Sequence, residues 1–582
     1  MNYTGENILK GIPAAPGIAI ATAYLYKKYK EDVTKEKIED TDLAIQNLSE
    51  ALEKSKKELQ KIFSLAIDKM GEKRAGIFEA QLMILEDPVL LETIINRIKN
   101  EKINPEYVVS DEISKYQALM NASSEPYMKE RSMDIEDIKN RIIKNIKNKK
   151  WKSRIASDVV VVTDVITPAD TVLFTRVNVK GYVTDFGGLT SHAAIVARSL
   201  NIPAVVGTHD ATDRIKNGDK IIVDGIHGTV IVNPTKEQLS EYERKLEKLN
   251  EINCELAKLR DKPAVTKDGK KIVLHANLDL EEELDFVVQN GAEGIGLVRT
   301  EQIFQVANSF PDEETQFQLY SKLAQKLYPL PITIRTFDIG GDKVLPLDIK
   351  EPNPFLGWRG IRFLLDNLEL FKTQLRALLR ASIHKNIKIM FPMITSIQEI
   401  RKTKQIVEIC KNELKTENLN FDDNIPLGIM VEVPSSAVMA GKFAKEVDFV
   451  SIGTNDLIQY LLAVDRGNEN VSAQYQEFHP AVINTLKYII DECQNINTDV
   501  SICGEMAADI LAVPLLIGLG LQSLSVSASV IPQIKKVVRS INYSDVKSLS
   551  DQCLTFETEE KIKNLIFEFY KTHLTEDLKD LM

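Results

Sequence analysis

The sequence contains no run of eighteen consecutive apolar residues, and its first segment, MNYTGENILKGIPAAPG, has no apolar core of the secretory kind. The protein is therefore expected to be cytoplasmic and to insert in no membrane. Cysteine is scarce. Cys254, Cys410, Cys493, Cys503 and Cys553 are odd in number and form no CxxC pair, which argues against a disulfide framework or a zinc clip. They read as free thiols, at most one of them chemical and the other four small hydrophobes. Basic residues are outnumbered, 73 Lys and Arg against 84 Asp and Glu, and a net charge of −11 makes nucleic acid an unfavourable partner. Glycine is missing from Ile77 to Lys180. What is present is ordinary for a globular chain: 44% hydrophobic and 27% charged residues rule out disorder and low-complexity classes. The 582 residues suggest three to four domains, or two if one is a large barrel.

The glycine-free stretch is preceded by Leu48, Leu52, Leu59, Ile62 and Phe63 at helical spacing in a charged background, so residues 34–150 are expected to be a helical block. Its breaks fall at Gly71, Asp87-Pro88, Asn104-Pro105 and Glu125-Pro126. From Ser157 short β-branched runs take over (DVVVVTD, GYVTDF, IPAVVGT, KIIVDG, GTVIV), and GIPAAPGIAIATAYLY near the N-terminus has the same character. Residues 1–30 and 151–233 thus form one small α/β unit into which the helical block is inserted. Residues 234–262 alternate charges with Leu at helical spacing and read as a solvated linker helix.

Residues 263–582 repeat one theme: an apolar run ending in a polar residue, then a helical stretch. The runs are KIVLHAN, GIGLVRTE, ITIRTFD, KIMFPMI, LGIMVEVP, FVSIGTND, VSICGEM and SLSVSAS. Eight units over a span close to the ~250 residues of a (β/α)8 TIM barrel predict that fold, and the barrel gathers strand-end residues on one face. Arg299, Arg335, Glu432, Asn455, Asp456 and Cys503 should therefore converge. Arginines Arg299, Arg335, Arg359 and Arg466 aimed at one point imply a ligand of high negative charge. Arg299 and Arg335 end apolar runs, where a buried guanidinium needs a partner. Glu432 and Asp456, on the fifth and sixth strands, suit a hard divalent cation, Mg²⁺, whose remaining oxygens come from the ligand. Cys503 ends the seventh run, where surrounding cations should make its thiol titrate more readily and fit it to move a proton.

A second constellation is GGLTSHAAIVAR, residues 187–198. Two glycines permit a tight turn, Thr190 and Ser191 are cap residues, and the alanine-rich stretch is a helix, so His192 stands at a helix N-terminus that favours anions. An imidazole there suits a phosphohistidine. The other six histidines read as ordinary surface or core residues. The chain has no GxxxxGK[ST] loop, so the phosphoryl donor is expected not to be ATP.

At these motifs the chain resembles enzyme I of the bacterial phosphoenolpyruvate:sugar phosphotransferase system, nearly end to end. GGLTSHAAIVAR is similar to the family's phosphohistidine signature, and DFVSIGTNDLIQYLLAVDRGN to its phosphoenolpyruvate-binding signature; GIPAAPGIAI, YMKERSMDIEDI, IRTFDIGGDK, NPFLGWRGIR, IMFPMI and CGEMA follow in the family's order. The resemblance implies that phosphoenolpyruvate binds at the barrel with Mg²⁺ on Glu432 and Asp456. Its phosphate is held by Arg299, Arg335, Arg466 and the Asn455 region, with Arg359 helping. His192 then attacks the phosphorus, Cys503 protonates the enolate, and the phosphoryl group passes to the phosphocarrier protein HPr, docked on the helical block. Arg131, Arg198 and Thr171 belong by the same resemblance to the phosphohistidine site, and homodimerisation through the barrel is a family property. Leu189 and Gln81 depart from the family, which commonly has arginine and histidine there. Two other readings stay open: a pyruvate phosphate dikinase or phosphoenolpyruvate synthase relative without its nucleotide domain, and a non-catalytic regulatory paralogue.

Overall fold

The computed structural model describes residues 7–26, 33–70, 81–121, 126–147, 157–166, 170, 174, 178–188, 194, 197, 202–279, 281–301, 310–340, 351, 353–466, 468 and 470–573, with the backbone alone at 65–70, 116, 119–121, 126–134, 253 and 282. The chain divides into two compact units, Met1–Glu251 and Ile252–Met582.

The first unit is built on one eight-stranded sheet. Its strands are β1 (Ile8–Lys10), β2 (Ile12–Ala15), β3 (Ile18–Leu25), β4 (Val159–Thr163), β5 (Val179–Thr184), β6 (Ala204–Val206), β7 (Lys220–Asp224) and β8 (Thr229–Val232), in the order β1-β8-β7-β3-β4-β5-β6-β2. Strand β3 pairs in parallel with β4, Thr22 opposite Val159, although the whole helical block lies between them in sequence. In β4 the pleat sends Val160 and Val162 into one apolar cluster and Val161 into another, so both faces of the sheet are covered.

Between β3 and β4 run α1 (Thr41–Met70), α2 (Pro88–Glu101), α3 (Pro105–Asn121) and α4 (Pro126–Ile146). Each of the last three opens on the proline that marks its break in the sequence, where a missing N–H costs nothing. Asp87 caps α2, accepting from the amides of Val89 and Leu90. Leu48, Leu59, Ile62, Ile94, Ile98, Val108, Ile138 and Ile142 form the bundle core. Asn145 Nδ2 donates to Ser55 Oγ at 2.9 Å, and Arg141 pairs with Glu58 at 3.1 Å, tying α4 to α1.

Helix α5 (Lys236–Ala257) is less solvated than its charge pattern predicts: Tyr242, Leu246 and Leu249 pack on Ile18, Ile222 and Ile231 of the sheet.

The second unit is a closed ring of eight parallel strands: β10 (Lys271–Leu278), β11 (Ile295–Val298), β12 (Ile332–Arg335), β13 (Ile387–Phe391), β14 (Leu427–Val431), β15 (Phe449–Gly453), β16 (Asp499–Cys503) and β17 (Ser523–Ser527). A short strand β9 (Ala264–Val265) pairs antiparallel to β10, which itself pairs with both β11 and β17 and so closes the barrel. Along β10, Ile272, Leu274, Ala276 and Leu278 pack against the surrounding helices. Leu297, Met390, Met430, Phe449 and Cys503 make a separate small cluster inside the ring. Among the described residues no helix is long and apolar enough to cross a membrane.

Candidate active site at the barrel mouth

The carboxyl ends of the strands carry the chemistry, because each strand stops where its apolar alternation stops. Arg335 is the last residue of β12, Glu432 follows β14, Asn455 and Asp456 open the helix after β15, and Cys503 ends β16. Gly504, at φ +105°, turns the chain there; a Cβ would meet Thr454 Oγ1 at 2.3 Å and Asn455 Oδ1 at 2.9 Å. That turn brings the amide of Glu505 to 2.8 Å from Asn455 Oδ1.

Arg335, Arg359, Glu301, Asp338 and Asp456 form one connected net. Arg335 Nη2 donates to Glu301 at 2.9 Å, and its Nη1 lies 3.3 Å from Asp338 Oδ2. Arg359 forks onto Asp338, Nε at 3.1 Å and Nη2 at 2.8 Å, and reaches Asp456 at 3.2 Å and the Tyr460 hydroxyl at 3.3 Å. Both guanidiniums are buried. Burial opposes their charge, and the surrounding carboxylates more than offset it, so both stay cationic. Glu432, also buried, accepts from the Met393 amide at 2.7 Å. Burial first, then Asp456 and Asp338, push its carboxyl well above the usual range against the pull of Arg335 and Arg359. Glu301, Asp338 and Asp456 already outnumber the two buried guanidiniums, and a cation between Glu432 and Asp456 would offset both that surplus and the pressure that keeps Glu432 protonated, so the site fits such an ion.

The remaining expected residues lie at the rim. Arg299 Nη1 bonds both oxygens of Asp279, at 3.1 and 3.2 Å, and the pair is half-buried, its side chains 37% and 42% exposed. The expectation of a buried guanidinium holds for Arg335 and fails for Arg299, because β11 ends one residue before it. Arg466 is exposed and stands 3.8 Å from Glu505, which also accepts from Asn455 Nδ2 at 3.3 Å. The Tyr475 hydroxyl donates to the Asn455 carbonyl at 3.3 Å.

Cys503 departs from expectation in one respect. Its thiol is pushed up by burial, with Glu432 adding to the rise; Ser451 at 3.5 Å and the distant Arg335 and Arg299 do not compensate. It therefore holds its proton instead of titrating readily. Of the other cysteines, Cys410, Cys493 and Cys553 are buried as expected, whereas Cys254 is exposed on α5.

His192, Thr171, Arg198 and Leu189 lie outside the described residues, as does the side chain of Arg131. Around them, Gly187 takes φ +125°, and Ala194 and Ala197 are helical and packed against the sheet. Asp170, beside Thr171 in sequence, accepts from the Tyr26 hydroxyl at 2.8 Å. Gln81 is buried in the helical block, so this departure changes packing there and not an exposed face.

Sequence reasoning missed Glu301, Asp338, Tyr460, Glu505 and Asp279. Glu301 and Asp338 stand two and three residues beyond Arg299 and Arg335, and the need of a buried guanidinium for a counter-ion points to acids in the same loop. Tyr460 and Asp279 carry no such local signal.

The family described as "PEP-utilising enzyme, PEP-binding domain" matches residues 253–543, "PEP-utilising enzyme, N-terminal" matches 10–131, and "PEP-utilising enzyme, mobile domain" matches 155–228. A phosphoenolpyruvate-protein phosphotransferase of Staphylococcus carnosus (strain TM300) is 44% identical over 97% of this chain and 99% of its own. Proteins of the same name from Bacillus subtilis (strain 168) and Mycoplasma capricolum subsp. capricolum are 42% and 41% identical, covering 97% and 96% of this chain and 100% and 98% of theirs.

Proposed function

The chain belongs to the PEP-utilising enzymes, among the phosphoenolpyruvate-protein phosphotransferases, and from that premise we propose that it moves the phosphoryl group of phosphoenolpyruvate to its own His192 and then to the carrier HPr, releasing pyruvate. The observation that carries this reading is the convergence of Arg335, Arg359, Glu432, Asn455, Asp456 and Cys503 on one barrel mouth. Such a transfer needs positioning and charge neutralisation more than covalent help.

Arg299, Arg335 and Arg466 bind the phosphate. Asn455, held between Glu505 and Tyr475, orients it. Arg359, whose donors meet Asp338, Asp456 and Tyr460, helps by holding the carboxylate of Asp456 in place beside the ligand. Glu432 and Asp456 hold the divalent metal ion, Mg²⁺, which supplies charge neutralisation on substrate oxygens when bound. His192 attacks phosphorus through Nε2 as the bond to the enol oxygen breaks, leaving enolpyruvate. The protonated thiol of Cys503 then delivers its proton to the methylene carbon. Thr171, Arg198 and Arg131 serve the phosphohistidine, and the helical block of α1 to α4 docks HPr. The enzyme works in the cytoplasm as a homodimer joined through the barrel unit.

Incubation with labelled phosphoenolpyruvate and Mg²⁺ should give an acid-labile, base-stable phosphoprotein. His192→Ala should take up no label, and retention of label by that variant would reject the assignment.

A further inference from the structure

The four arginines of the mouth fall into two kinds, Arg335 and Arg359 buried, Arg299 and Arg466 reaching water. Arg335 and Arg359 are buried with the carboxylates they bind, and removing either partner would strand a charge away from water, so these pairs are fixed framework. Arg299 is different. Its partner Asp279 follows β10 directly, and the Arg299 amide donates to the Leu278 carbonyl at 2.9 Å, which sets the two side chains abreast on neighbouring strand ends. One nitrogen, Nη1, serves both carboxylate oxygens. Water reaches both side chains of the pair, 37% and 42% exposed, and ion pairs in such contact with solvent are weak and exchange readily.

We propose that Asp279 is a specificity-determining residue: a tethered carboxylate that occupies Arg299 until a phosphoryl group displaces it. A ligand bearing phosphate takes Arg299 and pushes Asp279 aside. A ligand without phosphate has no use for Arg299 and leaves the pair intact. The consequence is asymmetric. Asp279 raises the concentration at which the phosphorylated substrate saturates the site and leaves the affinity for the dephosphorylated keto acid untouched. Once the phosphoryl group has left for the imidazole, the carboxylate returns to Arg299 and the mouth loses its attraction for another anion.

Among the described residues no backbone amide bonds the Asp279 carboxylate. The amide of Asp279 is held by Glu283 at 3.3 Å, and among the described residues its side chain hydrogen-bonds to Arg299 alone. Asp279→Asn, of the same shape and without charge, isolates the electrostatic role, and Asp279→Glu restores it.

The inference rests on the reading of Arg299 as a phosphate contact, so calorimetry on the unreacted full chain, with Mg²⁺ and inorganic phosphate as probe, accompanies the transfer assay. Asp279→Asn should bind phosphate roughly three- to tenfold more tightly than wild type and lower KM for phosphoenolpyruvate by a similar factor, while pyruvate inhibition stays unchanged and Asp279→Glu behaves as wild type. The gain should shrink in high salt, since water reaches the pair. Unchanged or weaker phosphate binding in Asp279→Asn, or an equal shift for pyruvate, would overturn the inference. Failure of the wild type to accept a phosphoryl group would sink the functional reading instead, and the calorimetric comparison would still decide the role of Asp279.

Discussion

Replacing Asp338 by asparagine removes a negative charge from a position shut off from water and leaves two guanidiniums facing it. Two guanidiniums close on Asp338: Nε and Nη2 of Arg359 at 3.1 and 2.8 Å, and Nη1 of Arg335 at 3.3 Å. Asparagine keeps one acceptor oxygen, but its amide nitrogen replaces the other and meets an N–H donor head-on. Removing one partner of a buried pair costs about 3–5 kcal/mol. Glu301 still holds Arg335 and Asp456 still holds Arg359, which places the loss in the lower part of that range, about 3–4 kcal/mol. With an unfolding entropy of about 2.1 cal/mol/K per residue, the roughly 330 residues of the barrel unit give about 0.7 kcal/mol/K, so its melting temperature should fall by about 4–6 °C. Scanning calorimetry of the full chain reads this directly, and the loss should persist in high salt because the pair is buried. In the transfer assay, KM for phosphoenolpyruvate should rise roughly tenfold as Arg335 loses a restraint. A melting temperature within 1 °C of wild type, together with an unchanged KM, would mean that the two arginines do not need Asp338 to stay in place.

Three further outcomes are expected. Cys503→Ala should lower kcat by about 10²–10⁴ with little change in KM, and pyruvate formed in heavy water should lose stereospecific labelling at its methyl carbon; an unchanged kcat would remove the thiol from the reaction. Glu477, pushed up to about 7 by burial, then by Asp509 and Glu505, with Lys563 opposing, is protonated when folded and ionised when unfolded between its ordinary 4.5 and that value. Stability is therefore lost as pH rises across this window, and Glu477→Gln should melt a few degrees above wild type at pH 8, corresponding to about 2 kcal/mol, but equal it at pH 4; a constant difference at all pH values would refute this linkage. Tyr460→Phe, which removes the hydroxyl beside Arg359, should weaken Mg²⁺ activation several-fold through Asp456 and leave phosphate affinity measured without metal unchanged; a metal dependence identical to wild type would show that Arg359 holds Asp456 without it.

The barrel and its active face were legible because a parallel barrel imposes a period: eight apolar runs, each ending in a polar residue, allow few other closures, and the runs are the strands observed. The breaks at Pro88, Pro105 and Pro126 were legible because proline can start a helix and cannot continue one. Partners were another matter. That Arg335 would be buried and Arg299 left within reach of water, or that Arg359 would spend its donors on Asp338, Asp456 and Tyr460, depends on where chain segments 21 to 101 residues apart come to rest. Sequence named the charged groups and the end of the ring where they would gather, since strand period and residue type are local properties. Only the tertiary structure decided which charges neutralise one another and which remain for a ligand, because burial and pairwise distance set that balance, and neither is written at any single position.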